Sequence, residues 1–76
     1  MTLEQFVKRF AEEFDDTPEE VFTPETKYRE IEEWGSLTAL SIISMIDDEM
    51  DVQITGADLR AVNTIAELYQ FVIDQQ

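Results

Sequence analysis

Apolar residues recur at helical spacing in several separate stretches of the chain, with polar and acidic residues between them. Leu3, Phe6, Val7, Phe10 and Phe14 fall on one face behind Thr2-Leu-Glu-Gln5, a capping box, and the spacing predicts a helix over 2–15. Ser36 to Met50 has no Gly or Pro inside it and predicts a helix over 36–50. At about 100° per residue, Ala39, Ile42, Ile43, Ile46 and Met50 share one side of it. Thr38, Ser41, Ser44 and Asp48 lie opposite, and Leu37 and Met45 fall on that polar side. Thr55-Gly-Ala-Asp58 caps a short helix over 57–62. A second capping box, Thr64-Ile-Ala-Glu67, opens a helix over 64–74 that carries Ile65, Leu68, Tyr69 and Val72 on one face, flanked by Phe71 and Ile73.

The stretch from Glu12 to Glu33 holds ten of the 18 acidic residues, yet Val21, Phe22, Tyr28 and Ile31 are interspersed among them and Trp34 follows. Both prolines lie here, in Thr17-Pro-Glu-Glu20 and Thr23-Pro-Glu-Thr26, and each predicts a single helical turn with a Thr cap and Pro at its first position. The segment reads as a long crossover loop pinned to the core. The fold class expected is all-α: a small three-to-four-helix bundle with a long first loop, one domain over 1–76 around a single modest core. The amphipathic faces suffice for a monomer.

Composition narrows the chemistry. Eighteen Asp and Glu against five Lys and Arg give a formal net charge of −13, which argues against nucleic acid and, unless it serves solubility alone, steers association toward basic protein surfaces. Cys and His are both absent, so disulfides, thiolate zinc sites and Ser-His or Cys-His catalysis are excluded. No apolar run is long enough to span a bilayer and the start lacks a secretory pattern, so no membrane insertion and a cytoplasmic location are expected. A calcium loop centred on Gly56 would begin at Asp51 and end at Val62, where the bidentate Glu is missing. Glu32 and Glu33 could pair as acid and base only in a pocket that separates their pKa values, and a solvated acidic loop offers none. A non-enzyme is expected, with no metal.

The remaining nucleophile of interest is Ser36, first residue of the second helix if Gly35 is its N-cap. Unpaired N–H groups and the helix dipole at that end favour a phosphate on its hydroxyl, although a serine there is also an ordinary helix-start residue. Trp34, just before, reads as a packing residue stapled onto the second helix near Ala39.

The long acidic loop, Ser36-Leu37 opening the second helix, Ile43 and Ile46, then Asp47-Asp-Glu-Met50 and Asn63-Thr-Ile-Ala-Glu-Leu68 together resemble an acyl carrier protein, across most of the chain. The resemblance implies 4'-phosphopantetheine, taken from coenzyme A and attached covalently to Ser36. It implies a carrier that delivers a thioester-bound acyl group between enzymes of a biosynthetic pathway, such as fatty acid or lipid synthesis. Its implied partners are a phosphopantetheinyl transferase and acyl-activating, acyltransferase or synthase enzymes with basic surfaces. Leu37, Met45, Asp47, Asp48 and Glu49 are the candidate partner-binding residues. In the family, the positions of Ala39, Ile43, Ile46, Met50, Leu59, Val62, Ile65 and Leu68 surround a cleft that can admit an acyl chain.

Two departures stand out. The family's usual Asp before the serine is Gly35 here, and Thr38 and Ser41 occupy positions that are often acidic. The first bears on recognition by the transferase, the second suggests a carrier devoted to one pathway. The alternative reading is an acidic interaction module that keeps the carrier-like fold but is never modified.

Overall fold

The computed structural model describes residues 1–76. Four α-helices are present, α1 (Leu3–Ala11), α2 (Ser36–Met50), α3 (Gly56–Ala61) and α4 (Ile65–Gln75), with no strand beyond one isolated bridge between Lys27 and Thr64. The all-α expectation is met. Three of the four helices start at reciprocal capping boxes, Thr2 with Gln5, Thr55 with Asp58 and Thr64 with Glu67, each side chain satisfying the other residue's backbone N–H. α2 is the exception. Its N-cap is Gly35, which offers no side-chain acceptor.

Fifteen buried residues form one cluster drawn from all four helices, the crossover and the Val52–Ile54 segment after α2. Its upper part is aromatic. Phe10 lies against Phe14 (ring centroids 5.6 Å apart) and Tyr28 (5.7 Å), and Phe14 against Phe22 (4.9 Å). Trp34 closes the layer on Tyr28 at 5.1 Å and Phe14 at 6.4 Å. These contacts fix the crossover on α1, since large rings bury much apolar area for few rotatable bonds.

Three expectations need correction. α1 ends at Ala11, not near Asp15. The bonds Glu13 N–H to Phe10 O and Phe14 N–H to Ala11 O tighten the chain out of α geometry, and the N–H groups of Asp15 and Asp16 then go to the Glu33 carboxylate at 2.8 and 3.1 Å. Phe14 stays on the buried face, which is why the periodicity ran past the helix end. Neither Thr-Pro pair caps a helical turn. A 3₁₀ turn at Glu19–Val21 starts from Pro18 with no side-chain cap, and the Thr17 hydroxyl, one residue earlier, donates to Glu33. Residues 23–26 form a tight turn closed by Thr23 N–H on Thr26 Oγ1, and a second 3₁₀ turn lies at Tyr28–Glu30. The short helix and the last one begin and end one residue away from the predicted limits, within ordinary fraying.

The crossover also serves α4. Thr26 O accepts from Ile65 N–H at 3.1 Å and Pro24 O from Ala66 N–H at 2.9 Å, so the free donors of that helix end are taken up by loop carbonyls. Tyr28 is wholly buried, and its hydroxyl donates to Leu59 O (2.5 Å) and Val62 O (3.2 Å) at the end of α3. Burial, the chief cause, pushes its pKa up to about 12.

Candidate functional site

Ser36 is the first residue of α2, and it is exposed. Gly35 stands before it as N-cap in extended backbone (φ −170°, ψ −171°), as the sequence predicted. The chain is brought to this point by Trp34, whose N–H donates to Ile31 O at 2.9 Å, and by the Thr38 hydroxyl, which donates back to Glu33 O at 3.0 Å. Trp34 is thus a packing residue, half-buried on the aromatic layer. Glu33, one of the carboxylates weighed as an acid or base, is a structural pin. The Thr17 hydroxyl and then the Asp15 and Asp16 N–H groups hold its pKa below the usual range, opposite to what a general acid requires.

At this helix end the first backbone hydrogen bond is Ala39 N–H to Gly35 O, and the N–H groups of Ser36, Leu37 and Thr38 have no acceptor in the protein. There is no acidic residue in the first turn either. α4 contrasts with it: the N–H groups of Ile65 and Ala66 go to the crossover carbonyls of Thr26 and Pro24 and that of Glu67 to the Thr64 hydroxyl, whereas α2 has no loop carbonyl over its start and Gly35 in the capping position. Such an end is electrostatically suited to an anion.

Beside Ser36 lies an open pocket of about 310 Å³ between the starts of α2 and α3, lined by Arg29, Trp34, Ala39, Leu59 and Arg60 among others. Sequence reasoning did not single out either arginine. They lie 31 positions apart, so no local pattern joins them.

The predicted partner-binding residues separate in the structure. Leu37 is 82% exposed, and Leu40, not singled out from the sequence, is 61% exposed one turn later. Angular position was the available signal, because at about 100° per residue Leu37, Leu40, Ser44 and Asp48 share one face. Met45 is 2% exposed and belongs to the core, so it is removed from the surface set. Ile42, Met45, Ile46 and Met50 are the buried stripe, while Ala39 and Ile43 are only half-buried. The buried arc of α2 reaches round to Met45, while Leu37, Leu40, Ser44 and Asp48 stay exposed on the other side.

Asp47, Asp48 and Glu49 lie about 18 Å along the axis from Ser36, at the other end of α2. Asp48 is exposed and Asp47 half-buried. Glu49 is turned toward α1, with a carboxylate oxygen 3.8 Å from Arg9 Nε. Half of the segment considered as a calcium loop is helix α3 itself, which Gly56 begins instead of forming a turn, and Asp51 closes α2 in left-handed backbone. No three His, Cys, Asp or Glu side chains converge, and no helix is long and apolar enough to cross a membrane.

The residues at the start of α2 fit a phosphate ester: an exposed hydroxyl, three open N–H donors and no neighbouring carboxylate in the first turn. No curated protein and no solved structure matches the chain. The family model for the phosphopantetheine attachment site matches residues 4–72, from α1 to α4. The chain therefore belongs to the phosphopantetheine attachment-site family, whose members carry covalently bound 4'-phosphopantetheine and are not themselves catalysts.

Proposed function

We propose that Ser36 is the attachment residue and that the chain, acting as one domain in the cytoplasm, delivers thioester-bound acyl groups between enzymes of a biosynthetic pathway. The observation that carries the reading is the placement of Ser36: exposed, first in α2, at the one helix start with three free donors and no capping side chain. The chain has no Cys, so the bound arm supplies the thiol that holds the cargo. The protein's own residues present Ser36 Oγ, receive the phosphate against the helix end, and offer a surface to partners. Leu37 and Leu40 form the apolar part of that surface and Asp47 and Asp48 its acidic part. A net charge of −13 speeds encounter with basic partner surfaces and keeps complexes transient at physiological salt.

Intact mass after incubation with coenzyme A, magnesium and a broad-specificity phosphopantetheinyl transferase tests the proposal. Gain of one phosphopantetheine by the wild type and none by Ser36→Ala is expected. No gain with several transferases, and none after Gly35→Asp, would overturn it in favour of the unmodified interaction module.

A further inference from the structure

The pocket beside Ser36 differs in charge from the rest of the molecule. The other two surface pockets are lined by carboxylates, Glu12 and Glu19 with Lys8 in one, Asp16, Glu32 and Glu33 in the other. The pocket at Ser36 has two arginines and no acidic lining residue, in a chain with 18 acids and five bases. Neither Arg29 nor Arg60 has a carboxylate within ion-pair distance, whereas Arg9 is ringed by Glu12, Glu13 and Glu49. Arg29 arrives from the crossover and is oriented by hydrogen bonds from one terminal nitrogen to Val62 O (3.0 Å) and Asn63 Oδ1 (2.6 Å). Its guanidinium also lies beside the Tyr28 hydroxyl, and its Nε and other terminal nitrogen make no further hydrogen bond within the protein. Arg60, in the last turn of α3, is exposed and makes no hydrogen bond or ion pair within the protein. A guanidinium meets a phosphate through paired N–H bonds that a lysine cannot reproduce.

We propose that Arg29 and Arg60 form a cationic clamp for the phosphodiester carried on Ser36, holding the base of the arm over this pocket while its thiol end stays free to reach partners. The inference rests on the reading of Ser36 as the attachment residue. The clamp makes the loaded protein more stable than the unloaded one by an amount that salt removes.

The test uses the full chain as wild type and as Arg60→Gln, each driven to complete loading and checked by intact mass. Side-chain Nε resonances of the three arginines are compared before and after loading, together with Tm at low and high salt. Loading should shift the Arg29 and Arg60 resonances and leave Arg9 in place. It should raise Tm by about 2–4 °C at low salt, with the gain lost at high salt and at least about halved in Arg60→Gln. Loaded protein with unmoved Arg29 and Arg60 resonances, or an equal Tm gain in Arg60→Gln, would overturn the clamp alone. Failure to load would overturn the attachment reading first and the clamp with it.

Discussion

Replacing Gly35 with Asp should stabilise the unloaded protein, and the structure allows the size of the effect to be worked out. An added Cβ at Gly35 meets nothing within 4 Å, and its extended backbone suits any residue. The new carboxylate would reach the open N–H groups of the first turn. Asp in place of Gly as N-cap gains a few tenths of a kcal/mol, and a negative charge at a helix start gains about 0.3–1 kcal/mol. Restricting the unfolded chain at a former glycine adds about 0.4–1 kcal/mol. One more acid on a chain of net charge −13 opposes these gains through screened repulsion. These contributions overlap within the measured preference for Asp over Gly at an N-cap, so the net expectation is about 0.5 kcal/mol, a rise in Tm of about 2–4 °C for a domain of this size. Thermal unfolding followed by circular dichroism, wild type against Gly35→Asp at physiological salt, measures it directly. Once a phosphodiester occupies Ser36 the gain should shrink, because both anions compete for the same helix end. An unchanged or lower Tm in the unloaded variant would refute the claim that the start of α2 is electrostatically open.

Tyr28→Phe leaves Leu59 O without its donor and should cost about 1–3 kcal/mol, read as a lower urea midpoint. Because the folded pKa of Tyr28 is raised, its contribution is full below the ordinary tyrosine value near 10 and lost as pH climbs through about 12; the variant should lack that alkaline loss, and parallel pH profiles would contradict it. The lowered pKa of Glu33 works in the opposite direction: its stabilisation is complete above the ordinary carboxylate pKa and lost as pH falls through the lower folded value. Glu33→Gln should therefore destabilise at neutral pH and reduce the acid limb, to which Glu67, whose pKa the Asn63 and Thr64 N–H groups hold down, also contributes. Replacing Leu37 and Leu40 together with Ser should change stability by less than about 0.5 kcal/mol yet lower the transferase loading rate by about tenfold; equal loading rates would show that this exposed pair does not meet that partner.

What was legible in the sequence is what is encoded locally. The capping boxes at Thr2, Thr55 and Thr64 place both reciprocal partners within three residues, and each forms as read. Gly35 and Ser36 mark the start of α2 for the same reason. The misreadings came from distant partners. The end of α1 is decided by Glu33, 18 positions beyond Asp15, which draws off backbone donors that a longer helix would have used. Thr17 is held on the same carboxylate, and the turn after it starts one residue later, from Pro18, with no side-chain cap. Met45 was placed on the wrong face because a helical wheel gives an angle but not the width of the arc that neighbours cover. Arg29 and Arg60 come together only through the packing of the crossover and α3 beside Ser36, and each alone looks like a surface charge.

The central claim is that one particular serine of three carries the arm. Ser36, Ser41 and Ser44 all lie on α2, and Ser44 is exposed as Ser36 is; only Ser36 sits at the open helix end. Fragmentation mass spectrometry of the loaded wild-type protein tells them apart. The account predicts one phosphopantetheine, confined to fragments containing Ser36; phosphopantetheine on Ser41 or Ser44, or no loaded protein at all, would contradict it.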